Sequence, residues 1–102
     1  MSDLVSITYT VIHDDPYAKF KDRIQGSKLL AAIESGTIDE LQVDSIYDLG
    51  ADPEDVLATI SHCEAHYVRI CVRSLGLCSK TAAKQSNPVW NVVLTLLREQ
   101  HM

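Results

Sequence analysis

Ser35-Gly36-Thr37-Ile38-Asp39-Glu40-Leu41-Gln42-Val43 decides the fold class, because within it a helix closes and a strand opens. Gly36 suits the left-handed position that ends a helix, and Leu29, Leu30 and Ile33 precede it as an apolar stripe at helical spacing. Residues 39–46 then read as a strand with Leu41, Val43 and Ser45 on one face. Downstream, Tyr47-Asp48-Leu49-Gly50-Ala51 reads as a loop. Asp52-Pro53-Glu54-Asp55 is the clearest helix start in the chain: an N-cap, a proline at the first helical position, then acids at the positive end of the helix dipole. Val56, Leu57, Ile60 and Ala65 are spaced to face the core of that helix's contacts. Residues 67–72 form a third strand, Val68, Ile70 and Val72 alternating with Arg69 and Cys71. Residues 76–86 read as a loop, and Asn87-Pro88 opens a last helix whose Val89, Trp90, Val92, Val93, Leu94, Leu96 and Leu97 cover most of its circumference.

Upstream, residues 4–12 are rich in β-branched side chains and read as a strand buried on both faces near its end. His13-Asp14-Asp15-Pro16 breaks it, and Asp15 with Pro16 forms another N-cap and first-turn pair. Gly26 leaves two readings of the helix that follows: one helix from Pro16, or two shorter pieces divided near 22–26. Strands alternating with helices predict an α/β domain: a small, mainly parallel sheet of three or four strands with flanking helices.

A chain of 102 residues is one domain, 1–102, with a modest core. Its composition, 46% apolar and 23% charged, is that of a globular protein. Between Leu29 and Tyr67 there is no Lys or Arg, yet Glu34, Asp39, Glu40, Asp44, Asp48, Asp52, Glu54, Asp55 and Glu64 all fall there. With a net charge of −5, this argues against nucleic acid or an anionic membrane as partner and favours a basic protein surface. The odd count of three cysteines, Cys63, Cys71 and Cys78, is not a disulfide framework and reads as reduced thiols in a cytoplasmic protein. MSDLVSITYTV has neither the basic start nor the cleavage site of a signal peptide, and no apolar run reaches the length of a membrane span.

Three segments together carry a family resemblance. Asp22-Arg23 precedes Leu29-Leu30-Ala31-Ala32-Ile33; then come Ser35 to Val43 as quoted above, and Ser45-Ile46-Tyr47-Asp48-Leu49-Gly50-Ala51-Asp52. In order, spacing and content the chain resembles the catalytic domain of the serine recombinases, the resolvase and invertase family, and Asn87 onward resembles the start of that family's long dimerisation helix. The resemblance implies a resolvase-like fold and descent from a phage, plasmid or other mobile element. It does not carry the chemistry over. That family attacks a DNA phosphodiester with a serine and holds the phosphate with arginines, as nucleophilic phosphoryl transfer requires. Here His13 stands at the nucleophile position, Val11 at the arginine of the first strand, and Asp48 and Ala51 where the family's loop has arginines. Arg23 alone matches an active-site arginine. The resemblance therefore implies ancestry without the ancestral activity: no catalytic residues, no cofactor and no metal.

Two surfaces remain as candidates. The acidic block has a partner-binding reading through Asp44, Asp48, Asp52, Glu54 and Asp55, set against a bland one in which those acids cap helices on a solvated surface. The last helix has an association reading through Val89, Trp90, Val93, Leu96 and Leu97, a homodimer by the resemblance, set against burial within the chain. His62 and His66 have the four-residue spacing of a metal pair but no evident third ligand; surface histidines at a helix end are the simpler reading. Ser27 and Ser45 lack a neighbouring general base, and Gly26-Ser27-Lys28 lacks the rest of a phosphate loop. The sequence thus predicts a non-catalytic interaction module. Its rivals are a dead subunit regulating an active recombinase, and a residual phosphoryl-transfer site using His13, Arg23 and Asp48.

Overall fold

Leu41 and Val43 alternate with Glu40 and Gln42 along β2 (Glu40–Val43), so one side of this strand is apolar and the other polar. A computed structural model describes residues 5–80 and 87–101. In it β2 lies between β1 (Ser6–Thr8) and β3 (Arg69–Val72), parallel to both, with Ile7, Leu41 and Ile70 in register. A further strand, β4 (Leu77–Cys78), pairs antiparallel with β3, placing Cys78 opposite Cys71. The sheet is therefore mixed, four strands in the order β1-β2-β3-β4, with the parallel expectation met only by the first three.

Three helices complete the domain: α1 (Ile24–Ser35), α2 (Pro53–Ala65) and α3 (Pro88–His101). Leu29 and Ile33 of α1, Val56, Ile60 and Cys63 of α2, and Trp90, Leu94 and Leu97 of α3 share one core with Leu41, Val43, Ile70 and Val72. Each fully buried aliphatic side chain of this set contributes about 2 kcal/mol. The helices thus cover one face of the sheet. On the other, the Glu40 carboxylate accepts bonds from Ser6 Oγ at 2.9 Å, Gln42 Nε2 at 3.0 Å and Arg69 Nη1 at 2.9 Å. Hydrogen bonds, chiefly that from Gln42, hold its pKa below the usual glutamate value against the opposing effect of burial.

The helix ends follow the sequence closely. Asp52 caps α2 by accepting from the Asp55 amide at 2.8 Å, and Asn87 Oδ1 accepts from the Val89 amide at 3.1 Å at the start of α3. Gly36 ends α1 at φ 75°, its neighbour Thr37 donating back to the Ala32 carbonyl. α2 ends the same way on a non-glycine: Tyr67 sits at φ 60° while its amide donates to Glu64 O and that of Val68 to Cys63 O. A side chain in this conformation costs about 1 kcal/mol or more.

Other expectations need correction. The first strand is three residues rather than nine, and Ser6–Thr8 is exposed because β1 is an edge strand. Val11–His13 is a turn of 3-10 helix instead. Asp15-Pro16 starts no helix; a 3-10 turn at Phe20–Asp22 precedes α1, in line with the divided reading. Gly26 is needed there, because a Cβ at that position would collide with the Phe20 carbonyl. The stretch read as the loop 47–51 is mostly a 3-10 turn, Ile46–Leu49, and β4 lies inside the other expected loop, whose residues 81–86 fall outside the described ones. Cys71 and Cys78 form a disulfide, so the reading of three reduced thiols is wrong; only Cys63 is free, buried in the core. The spacing was uninformative because the pairing is created by β4. Among the described residues no helix is long and apolar enough to cross a membrane.

Candidate functional site

Three parallel strands end at one edge of the sheet, the edge where folds of this class usually receive ligands. The connections from β1 to α1 and from β2 to α2 both begin there. They carry His13, Asp14, Asp15, Asp22, Arg23, Asp44, Asp48 and Asp52, and Glu54 and Asp55 follow in the first turn of α2.

Arg23 is the organising group. It is 2% exposed, although it occupies the N-cap position of α1. Its Nε donates to the Ala18 carbonyl at 3.0 Å, and Nη2 donates to the Pro16 carbonyl at 3.0 Å. Nη1 donates both to Tyr9 Oη at 3.1 Å and to the Asp48 carbonyl at 2.7 Å. The guanidinium also lies over the Phe20 ring, 5.7 Å from its centroid. Four of its N–H groups are thus committed to the protein, with no carboxylate among their acceptors.

Asp14 is bound into the same network. Its carboxylate accepts from Tyr9 Oη at 3.1 Å and from the amides of Gln25 and Gly26 at 3.0 and 3.1 Å. It therefore caps α1 from outside the helix, the role expected of Asp15. Tyr9 stands between Arg23 and Asp14, and burial raises its phenol pKa, Arg23 opposing the shift and Asp14 adding to it. His13, Asp14, Asp15, Asp22 and Arg23 line one cleft of about 360 Å³.

The acids of the second connection divide. The Asp48 carboxylate turns from Arg23 to accept from the Ser45 amide at 3.1 Å. Asp55 Oδ2 accepts from the amides of Phe20 and Ala51, both at 2.9 Å, tying the two connections together. Asp48 and Asp55 are half-buried, and one oxygen of each is committed to backbone amides. Asp44, Asp52 and Glu54 are exposed, Asp44 facing Arg73 at 3.3 Å. The capping reading thus accounts for Asp48, Asp52 and Asp55, and it leaves Asp44 and Glu54 at the surface.

The last helix divides similarly. Trp90 and Leu97 are buried against the rest of the chain, which corrects their assignment to an association surface; Val93 is half-buried. Val89, Val92 and Leu96 are 56%, 58% and 54% exposed and form a second stripe, with Tyr47 and Leu75 exposed nearby. His62 Nε2 is 3.4 Å from Glu34 Oε1, close enough for an ion pair when protonated but not aligned for a hydrogen bond. The His62 and His66 rings are 4.9 Å apart, and among the described residues no group of three or more potential ligands is placed to hold a metal. Burial pushes the Cys63 thiol up to about 12, with Glu64 adding to it, so this thiol is inert at neutral pH.

No protein-family model, curated protein or solved structure matches this chain.

Proposed function

We propose that this chain is a protein-interaction module without catalytic activity, akin to the serine recombinase catalytic domain and borne by a mobile element, that binds a protein partner with a basic surface. The observation that carries this reading is the burial of Arg23. It is the one arginine that the resemblance would assign to a DNA phosphate, and its donors are spent on Tyr9 and three backbone carbonyls. The acids exposed at the same edge are Asp44, which faces Arg73, Asp52, which caps α2, and Glu54. Such a surface repels a nucleic-acid backbone and attracts a protein that binds one. Inhibition of a nucleic-acid-binding complex, by occupying its basic groove, follows as the mode of action.

The test is affinity capture from the native host with the wild-type chain and with Asp44→Lys/Asp52→Lys/Glu54→Lys. Captured proteins are expected to be basic, to elute with rising salt, and to be lost by the variant. Retention of every partner by the variant rejects the acidic face. A covalent adduct on supercoiled plasmid rejects the non-catalytic part.

A second reading is favoured by Val89, Val92 and Leu96: association of two copies of this chain through α3, or pairing with an active recombinase as a dead regulatory subunit. In a chain of net charge −5, like copies meet most easily on a neutral stripe.

A further inference from the structure

We propose that the groove between α3 and the C-terminal end of α2 binds a small oxyanion, a carboxylate or phosphate group. The cavity, about 350 Å³, is at the small end of ligand-site volumes. Trp90 lines it and is 2% exposed, yet among the described residues its Nε1 has no hydrogen-bond partner. Indole is a donor only, so the missing partner is an acceptor. Ser79, also buried in this wall, accepts from the Ile70 amide at 2.9 Å. Buried donors normally find acceptors, and among the described residues the indole of Trp90 has none.

The charges around them agree. Lys80 and Arg98 line the groove, and neither forms an ion pair among the described residues. Lys80 is held in place from two sides. Its carbonyl accepts from Arg69 Nε at 2.8 Å, and its ammonium lies 5.5 Å from the Tyr67 ring centroid. Tyr67 is the residue kept in left-handed backbone where glycine fits best, and its ring is what glycine would lose. Two cations and an unmet indole donor call for an acceptor-rich, negatively charged guest. Leu94 and the indole face supply an apolar wall for its carbon skeleton. Exposed Glu64 at the rim, with the chain's net charge, disfavours a large polyanion.

Trp90 is the sole tryptophan, so its emission reports directly on the groove. The full chain is titrated at pH 7 with sodium phosphate and, separately, with sodium succinate, each against sodium chloride at matched ionic strength. A saturable change with at least one of them is expected, and which one responds identifies the head group. By calorimetry with the responding anion, Lys80→Gln and Arg98→Gln should each weaken binding about tenfold. Trp90→Phe should weaken it while preserving the packing, and Glu64→Gln should tighten it. Emission that tracks chloride in both titrations overturns the proposal, as does binding by Lys80→Gln and Arg98→Gln at wild-type strength.

Discussion

Arg23 and Asp48 meet through the wrong part of Asp48: the guanidinium donates to its backbone carbonyl at 2.7 Å, while its carboxylate serves the Ser45 amide. In these bonds the arginine clasps a loop and the acid caps a turn. The burial of Arg23 without a carboxylate partner is tolerable because uncharged oxygens satisfy it on several sides.

If that clasp is structural, removing it must cost stability. Arg23→Ala is expected to destabilise the fold by about 3 kcal/mol, since it strands the carbonyls of Pro16, Ala18 and Asp48. Arg23→Lys should recover only part of this, because an ammonium cannot reproduce the fork. Urea denaturation measures both, and a cost below about 0.5 kcal/mol for the alanine variant would contradict the assignment.

The disulfide joins β4 to β3 across a short loop. Reduction, or Cys71→Ser with Cys78→Ser, is expected to lower stability by about 2 kcal/mol. Thiol titration of the unfolded chain should find one free thiol without reductant and three with it. Three in both conditions would remove the crosslink.

Glu40 predicts an acid-sensitive sheet. Its folded pKa lies below its unfolded value, so its contribution is present above about pH 4.5 and is lost as pH falls through the folded value. Glu40→Gln should cost about 2 kcal/mol at pH 7 and less at pH 3, because below about pH 4.5 the wild type begins to lose the same contribution. Equal costs at the two pH values would show that the charge is not what the network uses.

The exposed stripe on α3 predicts self-association. Leu96→Glu and Val92→Glu place charge on positions the core does not use, so folding should be unaffected within about 0.5 kcal/mol. Sedimentation equilibrium should show dimers for the wild type and monomers for both variants. A monomeric wild type at high concentration would leave the acidic edge as the only association surface in play.

Trp90 shows how little of the candidate sites a linear reading can reach. Its apolar neighbours at helical spacing made it equally suited to the core and to an interface, since periodicity identifies a face and not what covers it. Packing against α2 settled the matter and placed the indole beside Ser79, Lys80 and Arg98. Those residues share no motif, because a groove between elements is set by which segments pack together and not by local spacing.

By itself, the sequence determined the alternation of strands and helices, the capped starts at Asp52 and Asn87, the glycine stop at Gly36 and the alternating pattern of β3. These are local effects, set by backbone preference and side-chain period within a few residues. Only the tertiary structure decided that β1 is a short exposed edge, that Cys78 meets Cys71, that Asp14 caps α1 from outside it, and that Arg23 points inward. Each of these joins groups that are not helical neighbours or successive strand residues, and such pairings depend on which chain segments pack together in space.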